Sequence, residues 1–419
     1  MQITVIGGGS TYTPELVDGL IKKAQKLGIK KVVLYDIAPE RLEIVGELGK
    51  RMVKAAGSPF VLELSVDQKK ALTGADFVLN QIRVGGQEGR DADTDFCLEN
   101  DLIGQETTGA AGFAKALRTI PVVLELCTKI KQYAPQARLI NFTNPAGIIT
   151  ESVLKYGQIN CIGLCNIPIN MRMELADIFS VSPADVYLDY VGLNHLSWVR
   201  KVFVKGEDVT ESALEEFDFT PANNPQETGR GRFQRALGMI TNSYLDYFYR
   251  EREMLQKLKA KEQTRAREVL KIENELLEKY KQQDLDSKPE ELEKRGGAYY
   301  STIAVALLED IILNSGNIKI LNVRNNGALP DLPREAVVEV PAVVDARGAQ
   351  ALTGGKLEPE IRGLIQQVKA YEELTVEAAV SKSYDKALLA LANNPLLDSV
   401  AIAEKVLDFF NERYALQLS

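Results

Sequence analysis

The chain has 419 residues, 45% hydrophobic and 26% charged, with 50 Lys+Arg against 58 Asp+Glu and a formal net charge of −8. This is ordinary globular usage that excludes disorder, and the acidic balance argues against a nucleic-acid partner, which needs a basic face to displace counterions. Four cysteines are too few for a disulfide framework, and one histidine is too few for HExxH zinc peptidases or histidine cages.

The opening MQITVIGGGS lacks the basic region and cleavage site of a signal peptide. No apolar run reaches the ~18 residues that a membrane span needs, so a reducing, cytoplasmic setting is expected. Ile3 to Gly7 is a short apolar run ending in glycines and predicts a buried parallel strand. Thr13-Pro14-Glu15 predicts a helix start, with Thr13 as cap, Pro14 in the first turn and Glu15 at the positive end of the dipole. That helix runs to about Leu27-Gly28. Residues 31–36 predict a second strand and residues 39–57 a second helix. Further strands are expected at 60–65, 75–82, 137–143 and 160–165, with helices around 114–133, 147–156 and 168–179. Strands alternating with helices imply βαβ units and a parallel sheet.

After about Val181 the rhythm changes. Residues 185–195 and 198–209 predict longer strands joined as hairpins. From Phe233 the pattern is mainly helical. The Glu-, Lys- and Arg-rich stretch 251–280 predicts one long solvated helix with i,i+4 pairs. Residues 285–297 predict a loop or hinge, 302–313 a buried helix, and 319–327 and 336–345 strands. Residues 374–395 and 399–418 predict amphipathic helices. At about 150 residues per domain the length predicts two to three domains. The change of rhythm divides the chain into residues 1–180, a Rossmann-like α/β unit, and residues 181–419, a mixed, largely helical unit. Apolar helical surface in the second unit suggests a homodimer or homotetramer.

Several motifs are candidates for chemistry. Gly7-Gly8-Gly9-Ser10, followed by Thr11, lies between the first strand and helix, where backbone N–H groups can approach a pyrophosphate. Tyr12 replaces the third glycine of GxGxxG, so the fingerprint is incomplete. Asp36 ends the second strand, where a carboxylate accepts from ribose hydroxyls and repels a 2′-phosphate; NAD is favoured over NADP. The bland alternative is a tight turn that binds nothing. Asn141 to Gly147, with Asn144, sits at the C-terminal end of a strand, where ligands collect; turn chemistry explains it equally well. Cys165-Asn166-Ile167-Pro168 puts a thiol at a helix N-terminus, which lowers a thiol pKa. A small buried hydrophobe is the alternative. His195 stands in Gly192-Leu-Asn-His-Leu-Ser-Trp, thirty residues from Cys165, a spacing that by itself establishes no metal site. Arg83, Arg90 and Arg295 lie beside glycines, as phosphate-binding guanidinium forks do. Residues 104–109, Gly-Gln-Glu-Thr-Thr-Gly, form another polar loop. Tyr244, near Tyr247 and Tyr249, reads first as core packing.

Together, IGGGSTYTPEL, YDIAPER, QIRVGGQEGR, LIGQETTG, NFTNPAG, GLCNIP, GLNHLSW, NSYLDY and KRGGAYYS resemble glycoside hydrolase family 4, in the order seen there. The match is most similar to its 6-phospho-β-glucosidases and runs from the N-terminus to about Gly327. The resemblance implies a lactate/malate-dehydrogenase-type Rossmann domain that binds NAD, residues 1–180, followed by a mixed α/β domain for substrate, metal and oligomerisation, residues 181–419. It implies NAD and a divalent metal, commonly manganese, acting on 6-phosphorylated glycosides. Cys165 and His195 then resemble the metal ligands, Tyr244 the general base, Asn144 and Asn166 contacts to sugar hydroxyls, and Arg90, Arg295 and Arg83 phosphate contacts. Gly7, Gly8, Gly9, Ser10, Thr11 and Asp36 resemble the NAD site. A thiolate with an imidazole would by itself suggest zinc, iron or cobalt; manganese rests on the resemblance. Family 4 stands outside the two-carboxylate scheme of most glycosidases. It implies oxidation at C3, proton loss at C2, elimination, water addition and reduction.

Relatives acting on α-linkages tend to carry Asp after the cysteine, and Asn166 favours the β reading over a 6-phospho-α-glucosidase. Two other readings differ in class. An NAD-dependent hydroxy-acid dehydrogenase would use His195 as acid/base and form net NADH. A nucleotide-sensing regulator would not need Cys165 or His195.

Overall fold

The computed structural model describes residues 1–217, 231–295 and 300–419. Gly296 and Gly297, beside which Arg295 was noted, lie outside them. Strands β1 (Gln2–Ile6), β2 (Lys31–Tyr35), β3 (Val61–Ser65), β4 (Phe77–Asn80), β5 (Arg138–Asn141) and β6 (Cys161–Gly163) come first. They pair in parallel in the order β3-β2-β1-β4-β5-β6. Consecutive residues such as Val32, Val33 and Leu34 are all buried, as expected of a sheet covered on both faces. The order reverses between β1 and β4. There the chain leaves the sheet in opposite directions and opens a crevice at the carboxyl ends of the strands.

The second half adds β7 (Val186–Leu193), β8 (Leu196–Val204), β9 (Glu207–Asp208), β10 (Ile240–Thr241), β11 (Asn317–Arg324), β12 (Val337–Asp345) and β13 (Gly348–Ala351). β7 and β8 form the expected antiparallel hairpin, and β10 and β9 join it in a small second sheet. β11, β12 and β13 instead extend the first sheet beyond β6, all antiparallel. The main sheet thus draws strands from both sides of residue 180, and β12 packs against β7. One large core surrounds the main sheet. A smaller one lies under the hairpin and contains Cys165, Met171, Tyr190 and Val199.

Several elements differ from expectation. Thr13 is the first helical residue rather than the cap, and its hydroxyl accepts from Gln81 Nε2 at 2.9 Å. The charged stretch is two helices, Glu251–Lys259 and Arg265–Tyr280, not one. Thr264 caps the second by accepting from the Arg267 N–H at 3.2 Å. Nor is the stretch simply solvated: Met254, Val269, Glu273, Leu276 and Tyr280 are buried. Its charges reach across the fold, as Arg267 does to Asp91 at 2.9 Å. Sequence periodicity sees only local pairs, so tertiary partners of this kind escape it. The hinge stretch holds a short 3-10 helix, Glu290–Arg295. The expected helix at 374–395 is split between Pro359–Ser381 and Tyr384–Asn393, with Lys382 between them at φ 54°.

Candidate active site

A cavity of about 1330 Å3 follows the crevice from the β1 turn to the β7–β8 hairpin. At its first end, the Gly7 and Gly8 N–H groups donate to the Tyr35 carbonyl at 2.9 and 2.8 Å. Gly7 has φ 89°, a left-handed conformation that glycine adopts without strain. A Cβ on Gly8 would stand 2.7 Å from Leu34 Cβ, so the turn lies directly on β2. Asp36 closes the pattern: its Oδ2 accepts from the Gly9 N–H at 2.9 Å and its Oδ1 from the Ala38 N–H at 3.0 Å. Gly7, Gly9, Ser10 and Asp36 line the cavity. Gly8 and Thr11 are buried behind its wall. Thr11 accepts from Arg295 Nε at 2.6 Å through its hydroxyl and from the Tyr280 hydroxyl at 2.7 Å through its carbonyl.

At the other end His195 occupies the two-residue turn between β7 and β8, with φ 68°. A non-glycine residue held there is strained, a cost often met at functional sites. Its ring stacks on Tyr244, with centroids 3.8 Å apart and planes at 14°. His195 Nδ1 lies 2.8 Å from Thr107 Oγ1. That hydroxyl donates to Gln105 Oε1 at 2.7 Å, and the same oxygen accepts from the Thr107 N–H at 2.6 Å, which fixes the amide's orientation. The hydroxyl therefore accepts from Nδ1–H, and Nε2 keeps its lone pair. Burial pushes the imidazole down to about 3, so it is neutral, as a metal ligand must be.

Cys165 is 1% exposed in the smaller core, and its Sγ accepts from the Ile167 N–H at 3.5 Å. The expected lowering of its pKa by the helix N-terminus is overturned. Burial, with the Glu339 carboxylate nearby, pushes the thiol well above its ordinary value. A single helix end cannot offset the loss of water around a thiolate. Cys165 also raises the pKa of Tyr244 and packs in the core that Tyr244 borders, so the thiol, the phenol and the imidazole share one region. Among the described residues no group of three or more His, Cys, Asp or Glu is arranged to hold a metal ion. A cation here would have two protein ligands, a neutral nitrogen and a sulfur, with the remaining positions open to substrate oxygens. A thiol that burial keeps protonated gives up its proton to a cation, and the free Nε2 lone pair suits one equally. Asn144 and Asn166 line the same cavity, and Asn144 Oδ1 is buried without a hydrogen-bond partner among the described residues.

Between the two ends lie the arginines. Arg83 and Arg90 both approach Glu106, Arg90 Nη2 at 3.4 Å, and Lys115 Nζ joins them at 2.7 Å. Burial alone would raise the Glu106 carboxyl; the three cations hold it well below the usual carboxylate range. Burial and the Arg83 guanidinium push Lys115 down to about 7. Three cations on one carboxylate leave an excess of positive charge facing the cavity. Arg295 has a separate ion pair, with Glu273 at 2.9 Å, which also receives Arg41 at 2.6 Å. Burial lowers the Arg295 pKa, and the Arg83 guanidinium is near enough to add to that effect. Glu106, Lys115 and Glu273 carry no sequence motif. Only the polar loop 104–109 hinted at the first.

The description "Family 4 glycosyl hydrolase" matches residues 2–181, and "Family 4 glycosyl hydrolase C-terminal domain" matches residues 190–397. The chain is 42% identical to a probable 6-phospho-beta-glucosidase of Bacillus subtilis (strain 168), over 100% of this chain and 97% of that one. It is similar to the structure of the 6-phospho-beta glucosidase from Thermotoga maritima with manganese, NAD+ and glucose-6-phosphate: TM-score 0.91, 41% identity, covering 100% of both chains. Malate dehydrogenase from Cryptosporidium parvum shares the fold at 16% identity and a TM-score of 0.55, covering 91% of this chain and 99% of that one.

Proposed function

The chain belongs to glycosyl hydrolase family 4, and on that premise we propose that it hydrolyses 6-phospho-β-glucosides using NAD and a divalent cation, manganese first among candidates. The observation that carries this reading is a single cavity with a glycine turn and Asp36 at one end and a neutral His195 stacked on Tyr244 at the other. When bound, NAD accepts and later returns a hydride at C3 of the sugar, and the cation draws charge from the C2 and C3 oxygens, so that the net reaction is hydrolysis.

The chain's own residues supply the rest. The turn at Gly7 to Ser10 and Asp36 hold the dinucleotide, with Gly8 and Thr11 supporting the turn from behind. Cys165 and His195 hold the cation, and the Thr107–Gln105 pair keeps His195 in the tautomer that exposes Nε2. Asn144 and Asn166 orient sugar hydroxyls. Arg90 and Arg295, with Arg83, receive the 6-phosphate, and Lys115 adds to their field. Tyr244 Oη takes the C2 proton, which is acidified once C3 is a ketone. Burial pushes the Tyr244 phenol well above its ordinary value and Arg90 draws it back, so the base needs positive charge close by. Loss of the C1 substituent and addition of water complete the cycle.

The test is a panel of 4-nitrophenyl 6-phosphoglycosides, α and β, with and without NAD and manganese. Release of nitrophenol from the β-glucoside only when both are present is expected, with no net NADH. Turnover without NAD, or stoichiometric NADH, would refute the reading.

A further inference from the structure

Behind the His195–Tyr244 stack lies a carboxylate that this chemistry does not use. Glu339, on β12, is 1% exposed. Its Oε1 accepts from Asn194 Nδ2 at 3.0 Å and from Asn322 Nδ2 at 2.9 Å, and its Oε2 accepts from the Tyr190 hydroxyl at 3.0 Å. These donors are all neutral. The nearby buried Glu151 is different: it is paired with Lys369 at 2.8 Å, the ordinary arrangement for a structural carboxylate. Burial pushes the Glu339 carboxyl up to about 7 while its three neutral donors draw it back; among the described residues no cation pairs with it, a costly arrangement to keep for packing alone.

The donors lead to the site by two routes. Asn194 is the residue before His195 in the hairpin turn. Burial raises the pKa of the Cys165 thiol, and the Asn194 carboxamide, held by Glu339, lies close enough to draw it back down. On the other side, Tyr190 donates to Glu339, so in the 2.6 Å contact between them Ser197 Oγ donates to the Tyr190 oxygen. Asn242 Nδ2 donates to Ser197 Oγ at 3.1 Å and to the Ser197 carbonyl at 3.0 Å. Asn242 Oδ1 accepts from the Tyr244 N–H at 2.9 Å. With Glu339 ionised, every hydrogen in this series has one direction, set by the carboxylate at its origin.

We propose that Glu339 is a positioning residue that sets Cys165, His195 and Tyr244 relative to one another, through Asn194 on one oxygen and Tyr190–Ser197–Asn242 on the other. The inference rests on the cation site proposed above. One arm holds the strained turn that presents His195 beside the thiol. The other holds the backbone of the base. Outer partners of this kind carry a large share of metal affinity, about 10- to 100-fold per residue.

The experiment titrates the full-length protein with Co2+, reading the thiolate-to-cobalt charge-transfer band in the near ultraviolet, with NAD affinity and melting followed alongside. Glu339→Leu should weaken Co2+ binding by about 10- to 100-fold and shift the band, with NAD affinity unchanged. Glu339→Gln keeps an oxygen for the two asparagines and should restore Co2+ affinity to within about threefold. Two lighter variants separate the arms should Glu339→Leu fail to fold. Asn194→Ala should weaken Co2+ binding in the same range, and Ser197→Ala should lower kcat with Co2+ affinity and KM unchanged. A wild-type band and affinity in Asn194→Ala, or a wild-type kcat in Ser197→Ala, overturns the role of Glu339. If the wild-type protein shows no band, the cation site itself falls, and this role falls with it.

Discussion

Replacing Glu106 by Gln removes the carboxylate shared by Arg83, Arg90 and Lys115 while keeping the side-chain shape. Breaking a buried ion pair from one side costs about 3–5 kcal/mol. Two features reduce this. The Arg83 and Arg90 side chains are 27% and 14% exposed and keep some water, and Lys115 can release its proton. A loss of about 2–3 kcal/mol is expected at about pH 5.5. The pH dependence follows from Lys115, whose pKa is pushed down to about 7 even with Glu106 present. Without Glu106 it falls further. Between the variant's lower value and about 7, the folded wild type holds a proton that the folded variant has lost, and both unfolded chains are protonated. The wild type's advantage therefore shrinks as pH rises through this window, by about 1.4 kcal/mol per pH unit, and levels off above about pH 7. Urea midpoints at about pH 5.5 and 8.5, followed by fluorescence of the buried Trp198, measure the gap at both ends. Equal midpoints for the two proteins, or a gap of the same size at both pH values, would refute the account of this cluster.

Three further substitutions probe the two ends of the cavity. Tyr244→Phe keeps the ring stacked on His195, so melting and NAD affinity should hold while kcat falls about 10²- to 10⁴-fold and C2 exchange with solvent deuterium stops; near-normal turnover would remove Tyr244 as the base. Asp36→Ala deprives the Gly9 and Ala38 N–H groups of their acceptor, and should weaken NAD binding at least ~10-fold in a fluorescence titration, with a stability cost of about 1–2 kcal/mol. Gly8→Ala places a methyl 2.7 Å from Leu34 Cβ, so the turn must move off β2. A loss of ~1–3 kcal/mol by thermal unfolding is expected, and an unchanged melting point would show that the turn has room.

The sequence by itself determined the architecture of the first half and nominated the candidate chemical residues. Short apolar runs ending in glycine or Asp, alternating with helical stretches, specify a parallel sheet because backbone periodicity and turn chemistry are local properties. The hairpin around His195 was legible for the same reason. Tertiary structure alone decided what is not local. β11 to β13 join the first sheet because β6 offers an edge, which nothing within their own residues records. Glu106 reads as one polar residue in a loop until Arg83 and Arg90 from one segment and Lys115 from another converge on it. The Cys165 thiol is raised rather than lowered because the second core encloses it, and burial depends on what the rest of the chain packs around a residue. The tautomer of His195 depends on Thr107, 88 residues earlier in the chain. Residue type and spacing reveal which groups can do chemistry; water exclusion and the charges brought near them, which only folding sets, decide their protonation and partners.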